Sequence, residues 1–445
     1  ECTVGTATLA DDAKSLQLKI APTATGPALG ASYIAQMLLD LADERSSHFE
    51  SDWASQLARV AVPDPLSVAI TFQRPVLRPQ AILGVPLDQI AASTLAHAYQ
   101  PYQAQDASAA EATTQVTRQY MINSQYGNGT VTQPREVLEI PTTSPQHAVR
   151  MLRRGDVDLL DRVFPAEVNA LRREGKFAVT AYRLPTLHLL VPNNQRPYLG
   201  NRVFRRALLY AIDRQKILQR DLLGNATLGG CQVISGPFSP GITSDDPMAY
   251  AYDNRIDVRS YDPRHARTLM QLAQVEINAV AAKRKEKAPS LHELVLAYPG
   301  SDIAKTACDE IVAQFKIIGI NCVLRRLMPD EIRPADSEWD LLYVDCVMAE
   351  PTIDAGRLLG SDGLVGSKLP HLNLALRQLA ETTSWNEASI RLQAIHQIVA
   401  DDVTVIPLWQ LVDYLAHRPG LKGILNEPVT PYDDIEKWRL ESEVN

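Results

Sequence analysis

Asn193-Asn-Gln-Arg-Pro-Tyr-Leu-Gly-Asn-Arg-Val-Phe-Arg-Arg-Ala-Leu-Leu-Tyr-Ala-Ile-Asp-Arg-Gln-Lys-Ile217 is the stretch around which the rest of the chain arranges itself. It opens with a polar turn broken by Pro197. Asn201 then stands where a helix N-cap belongs, because its side chain can accept from a backbone N–H that lacks an intrahelical partner. Val203, Ala207, Leu208 and Ala211 follow at helical spacing and share one face. Arg202, Arg205 and Arg206 lie off that face, and their simplest reading is a solvated surface with local ion pairs.

Outward from this helix the patterns alternate. Upstream, Leu187-His-Leu-Leu-Val191 reads as a strand. Before it come a strand over Arg135–Ile140, a helix over His147–Arg154 capped by Ser144 and stopped by Gly155, a buried strand over Asp156–Leu160, and a helix from Pro165 to Arg173. Downstream, Tyr261-Asp-Pro263 opens a helix through Ala273, and Lys283-Arg-Lys-Glu-Lys287 reads as a solvated loop. A strand (Leu291–Ala297), an amphipathic helix (Ile303–Ile318, ended by Gly319) and a strand (Ile320–Leu327) make a βαβ pattern. Trp339–Val344 is a further strand, Ile390–Ala400 a helix, and Val403–Trp409 a near-continuous apolar strand. The first third is weaker: strands over Ser15–Ile20 and Ser67–Phe72, a helix over Ala31–Ala42, breaks at Pro75, Pro79 and Pro86, and a loop-like stretch from Gln103 to Thr114. The class is α/β.

Composition narrows function. At 445 residues the chain is too long for one core. A net charge of −8 argues against nucleic acid and against anionic membrane surfaces. No apolar run approaches the ~20 residues of a membrane span. No leader is visible, so a secretory signal, if the protein is exported, was removed before this numbering begins. The five cysteines, Cys2, Cys231, Cys308, Cys322 and Cys346, include no C-x-x-C pair, and no disulfide pairing is specified. Phosphate-binding, dinucleotide-binding, zincin and nucleophile-elbow motifs are absent. No two of the nine histidines stand at i, i+4, so no metal site is expected. The acidic pairs Asp11-Asp12, Asp401-Asp402 and Asp433-Asp434 point apart on any regular element and suit capping better than acid–base work. No enzyme and no cofactor are expected. Asn128-Gly-Thr130 and Asn225-Ala-Thr227 fit the glycosylation pattern only in a eukaryotic secretory setting.

The quoted stretch resembles the signature of the family 5 extracytoplasmic solute-binding proteins, which serve ABC importers for peptides, nickel chelates and some sugars. The signature runs V-R-x-A-L-x-x-A-I-D-R-x-x-I, and Val203, Arg205 or Arg206, Ala207, Leu208, Ala211, Ile212, Asp213, Arg214 and Ile217 fit it. Collinear matches extend over about 119–423. Asn123–Tyr126 is similar to the family's N-P-x-Y turn, Gly155-Asp-Val-Asp158 to G-x-V-D, and Ser235-Gly-Pro-Phe-Ser-Pro240 to G-P-x-P-P. Tyr261–Ala266 is similar to Y-D-P-x-x-A, Ile318-Gly-Ile320 to its G-I turn, Trp339–Leu342 to its y-D-l strand, and Val405-Ile-Pro-Leu408 to P-V-I-P-L. The resemblance implies a two-lobed fold of the periplasmic-binding-protein kind, class II, with an inserted domain. It places the inserted domain at 1–115, a first lobe at 116–184 with 420–445, and a second α/β lobe at 185–419. It also implies a ligand held in the cleft between lobes, ABC permease subunits as partners, a monomer, and a location in the periplasm or on the extracytoplasmic face of the membrane. A lipid tether would suit that location, although Glu1 before Cys2 counts against that cysteine as the anchor.

Two departures matter. The family usually has some tens of residues before the point where this chain starts; Leu9–Leu18 already resembles its s-d-D-g-k hairpin, and the W-S-D-G-x-P motif that follows it is missing. Its peptide binders also carry an Asp just before an E/D-P pair, where it meets the peptide's amino group. Here Asp345-Cys-Val-Met-Ala-Glu-Pro-Thr352 keeps Cys346 and Glu350-Pro351-Thr352, but the Asp position falls on Val347 or Met348. A buried ammonium needs a carboxylate, so Asp345 or Glu350 would have to serve. The resemblance makes Asp345, Cys346, Met348 and Glu350 candidate ligand contacts, against the alternative of a plain connecting loop. By their place near the hinge and the end of the apolar strand, Tyr182, Arg183, His188 and Trp409 join them; core packing or a surface ion pair is the alternative for each. The expected function is capture of a peptide or similar small polar solute for an ABC importer. The alternative is a degenerate member acting as an interaction or sensory module without a transported ligand.

Overall fold

A computed structural model describes the chain except for residues 1–4, 22–28, 47–48, 50, 78–100, 106–117, 124–132, 143, 244, 329–330 and 442–445. The chain divides into two units, one of 1–158 with 382–385 and 417–445, the other of 159–381 with 386–416.

In the first unit β1 (Gly5–Leu9), β2 (Ser15–Ile20), β3 (Leu57–Asp64) and β4 (Ser67–Phe72) form an antiparallel sheet in the order β1-β2-β4-β3. The helix Ala31–Asp40 buries Ile34, Met37 and Leu38, and Trp53 donates its indole N–H to the Leu38 carbonyl (2.8 Å) while its ring meets Phe72 edge-on. A second sheet joins β5 (Tyr102–Gln105), β6 (Arg118–Ile122) and β7 (Glu136–Glu139). Gln103–Gln105 is therefore strand, paired with Gln119–Met121, and not the loop its composition suggests; the rest of that stretch lies outside the described residues. The helix Pro145–Arg154 begins where Ser144 Oγ accepts from the His147 N–H (3.2 Å) and ends at Gly155, whose φ of 80° suits a residue without Cβ.

The second unit holds a three-stranded sheet, β8-β16-β9, from β8 (Leu159–Leu160), β9 (Ala178–Ala181) and β16 (Tyr414–His417). Its larger sheet has six strands, in the order β11-β15-β10-β14-β12-β13: β10 (Thr186–Pro192), β11 (Gln232–Val233), β12 (Leu294–Tyr298), β13 (Cys322–Arg326), β14 (Leu341–Val347) and β15 (Ile406–Leu411). The predicted βαβ unit is β12, the helix Asp302–Ile317 and β13, with the two strands parallel. Ser301 caps that helix, which buries Ala304, Ala307, Cys308, Ile311 and Phe315 at helical spacing. β10 is buried along its whole length, as a central strand covered on both faces must be. Each of its aliphatic side chains, Leu187, Leu189, Leu190 and Val191, contributes about 1.5–3 kcal/mol of burial.

Four expectations change. Asp156–Leu160 yields strand only at Leu159–Leu160. The helix from Pro263 runs to Arg284, so Lys283 and Arg284 close its last turn, and Lys285 caps it at a φ of 58°. Strand β15 starts at Ile406, because Val403 turns the chain with a φ of 55°. Arg205 is buried at 4% exposure and not solvated: its guanidinium is taken up by backbone carbonyls and by Asp402.

Candidate functional site

The register of the six-stranded sheet brings distant residues together. On β10, His188 pairs with Asp345 of β14 on one side and with Trp409 of β15 on the other. Residues opposite one another in antiparallel strands share a face, so these three side chains form one rung near an end of the sheet. His188 and Trp409 are fully buried, with ring centroids 6.2 Å apart. Tyr343 Oη meets His188 Nδ1 at 2.8 Å. Burial, reinforced by Arg162, pulls the His188 pKa down to about 3, so the ring is neutral at neutral pH. His188 Nε2 and Trp409 Nε1 are both buried without a hydrogen-bond partner among the described residues.

Beside this rung lies a charged group. Arg162, in the turn after β8, places Nη1 3.8 Å from Asp345 Oδ2 and Nε 4.0 Å from Asp413 Oδ2. Asp413, just past β15, is buried and accepts from Thr186 Oγ1 at 2.5 Å. Tyr182 donates its hydroxyl to Asp161 Oδ1 (2.6 Å) and its N–H to the Asp413 carbonyl (2.9 Å). Burial raises the Asp413 pKa; Arg162 opposes the rise, while Asp345 and Asp161 add to it. Burial works against the Arg162 cation, but Asp413, Asp161 and Asp345 together hold its pKa above the usual range. One guanidinium faces three carboxylates, so the group is negative overall when all are ionised. Arg162 and Asp345 keep part of their side chains in solvent, which leaves the group open to exchange partners.

Four of the expected residues, Tyr182, His188, Asp345 and Trp409, therefore come together. The others do not join them. Arg183 is exposed. Cys346 follows Asp345 on β14 and so points to the opposite face. Burial and then Asp345 push its thiol up to about 12, which keeps it protonated and unreactive. Met348 is buried. The Glu350 carboxylate is buried and already accepts from Thr352 Oγ1 (2.8 Å) and Tyr250 Oη (3.2 Å) at the start of the helix Pro351–Leu359. Arg162, Asp161, Thr186, Tyr343 and Asp413 were not anticipated. Thr186 and Asp413 bound apolar strands, a legible signal, but one shared with any turn residue.

A second buried polar group contains a serine near a histidine. Ser235 Oγ lies 3.2 Å from His396 Nε2, and His396 Nδ1 accepts the Asp253 N–H at 3.0 Å. Burial pulls the His396 pKa down to about 4. The neutral ring then carries its hydrogen on Nε2 and donates toward the serine, the reverse of the tautomer a general base needs. The group locks the loop at Ser235 in place. The four described cysteines are free thiols. Among the described residues no three His, Cys, Asp or Glu side chains are grouped to hold a metal ion, and no helix is long and apolar enough to cross a membrane.

The chain belongs to the bacterial extracellular solute-binding proteins, family 5 (middle region), whose family model matches residues 10–349. It is 24% identical over 288 residues to the probable D,D-dipeptide-binding periplasmic protein DdpA of Escherichia coli (strain K12). That alignment covers 62% of this chain and 51% of the relative, so the chain spans about half the length of the relative it matches. Its fold is that of the family's solved structures. The oligopeptide-binding protein AppA of Bacillus subtilis, in complex with a nonapeptide, superimposes with a TM-score of 0.74 at 16% identity, covering 99% of this chain and 90% of that one. The binding protein MoaA of A. tumefacien R10, in complex with mannopinic acid, gives 0.76 at 15% identity, with 99% and 90% covered.

Proposed function

We propose that the chain is the extracytoplasmic capture receptor of an ABC importer, that it takes a peptide or similar small polar solute carrying a cationic group, and that it is not an enzyme. The observation that carries this reading is the excess of carboxylate around Arg162. A ligand ammonium can take the place of the Arg162 guanidinium, held only at 3.8–4.0 Å, against Asp345 and Asp413. Asp345 thereby supplies the charge that the family's peptide binders place two or three residues later, whereas Glu350 is committed to the start of its helix. The neutral His188 and the Trp409 indole, both fully buried, would meet the ligand only on a rearrangement that exposes their unpartnered nitrogens. The receptor works as one copy, delivers to permease subunits, and is held in the periplasm or at the outer face of the membrane, where a lipid tether would keep it close. The division into 1–115, 116–184 with 420–445, and 185–419 belongs to the same proposal.

Calorimetry against a random di- to pentapeptide pool tests it. Saturable heat is expected, weakened at least about tenfold by Asp345→Asn and by N-acetylation of the pool, since a charged hydrogen bond is lost in each case. No heat at high peptide concentration would remove peptides from the reading. Equal heat from the acetylated pool would remove the ammonium.

A further inference from the structure

The second unit contains a cavity of about 270 Å³ that the capture reading does not use. It adjoins Val405 and Pro407, at the start of β15, roughly 20 Å by strand rise from Asp413 beyond the other end. Its polar lining is Arg214, Arg255, Arg259, Ser235, Gln397 and Asp401, with the exposed Asp257 at one side.

Three guanidiniums meet there on unequal terms. Arg255 is neutralised by Asp253 through two bonds of 2.8 and 2.9 Å. Arg214 is buried at 3% exposure and makes no ion pair among the described residues. Its guanidinium donates to the carbonyls of Ile234 (3.1 Å), Pro407 (2.8 Å) and Arg259, which satisfy hydrogens but not charge. Among the described residues Arg259 makes no ion pair either, and its Nη1 is buried without a hydrogen-bond partner. Ser235 and Gln397 are occupied, the first with Tyr252 and the second with Asp401 Oδ2 at 2.9 Å, so neither answers the orphaned nitrogen. Burial and then Arg206 lower the Arg259 pKa, partly opposed by Tyr210 and Asp401, and burial and then Arg259 pull Arg214 down to about 10. Arg214 is a buried cation with no ion-pair partner among the described residues, which is costly, and the partly buried Arg259 beside it repels it. An oxyanion accepts from guanidinium N–H groups in the plane they offer.

We infer that this cavity binds a small oxyanion of the phosphate type, free or as a monoester, between Arg259 and Arg214. The anion would accept hydrogen bonds from the Arg259 guanidinium and offset the two positive charges, against the opposing charge of Asp401 in the same lining.

Thermal unfolding of the whole chain at constant ionic strength is the test, with potassium phosphate, glycerol phosphate and potassium chloride as separate arms. A saturable rise in Tm with phosphate marks a free-anion site, a rise with the ester alone marks a phosphomonoester site, and chloride is expected to give neither. Arg259→Gln should weaken the response about tenfold, with Arg259→Lys retaining part of it. Arg255→Gln, at an exposed rim position, gives a second variant if Arg259→Gln does not fold, and a smaller weakening is expected. No saturable response to either phosphate compound, or a response unchanged in these variants, overturns the inference.

Discussion

Arg205 ties two turns together. Its Nε donates to the Val403 carbonyl (2.9 Å), Nη1 to Leu199 (2.9 Å) and Gly200 (3.1 Å), and Nη2 to the carbonyl and carboxylate of Asp402 (2.9 and 2.6 Å). The Val403 it grips is β-branched and held at a positive φ, where such residues are strained. Arg205→Met should cost about 3 kcal/mol, by leaving carbonyls and Asp402 unanswered in a buried place. Arg205→Lys should recover only part of that loss, because an ammonium cannot span the same acceptors. The midpoint of urea unfolding measures both. Two of the buried histidines, His188 and His396, set a pH dependence. Above pH ~6.5 both are neutral folded or unfolded. Below it the unfolded chain takes protons that the folded chain refuses until about pH 4 at His396 and about pH 3 at His188. Stability present at neutral pH is therefore lost on acidification, by about 1.4 kcal/mol per pH unit per histidine. Asp413 works in the other sense: its raised folded pKa lets the folded chain take a proton first. The unfolding free energy of His396→Gln should fall less steeply than that of the parent between pH 6.5 and 4. Parallel slopes would contradict the buried, neutral imidazole.

At the scale of elements, what the sequence shows is punctuation. Ser144, Asn201 and Ser301 each accept from the N–H three residues on, and Gly155 and Gly319 end helices at positive φ. Caps act within a few residues, so they can be read without the rest of the fold. Extent is less visible: the helix from Pro263 passes Ala273 because Ala273, Ile277 and Ala281 continue its buried face through a polar run. Pairing cannot be read at all, since β10 lies between β14 and β15, both more than 140 residues downstream. The Ser235–Pro240 loop shows how close packing selects a residue type. A Cβ on Gly236 would lie 2.1 Å from the His396 ring, which is itself fixed by Ser235 and Asp253. Gly236→Ala should therefore destabilise by about 2 kcal/mol, read as a fall in thermal midpoint. An unchanged midpoint would mean the loop is free to shift.

In the molecule as a whole, the family was legible because its signature lies in one helix and its capped turn, while the site was legible only in part. Tyr182, His188, Asp345 and Trp409 were reached by their position along the chain, and the register of β10 brings the last three side by side. Arg162 and Asp413, which give the group its charge, stand some 250 residues apart, in turns that nothing local sets apart from other turns. Cys346, Met348 and Glu350 lie in one of the same segments, but strand alternation, burial and the Thr352 and Tyr250 hydroxyls engage them elsewhere. The central claim is solute capture at the carboxylates around Arg162. Native mass spectrometry of the chain with a di- to pentapeptide pool tests it most directly. One bound ligand mass per chain, lost in Asp345→Asn, is the predicted result. Only the bare chain mass, or the same adduct in both proteins, would contradict it.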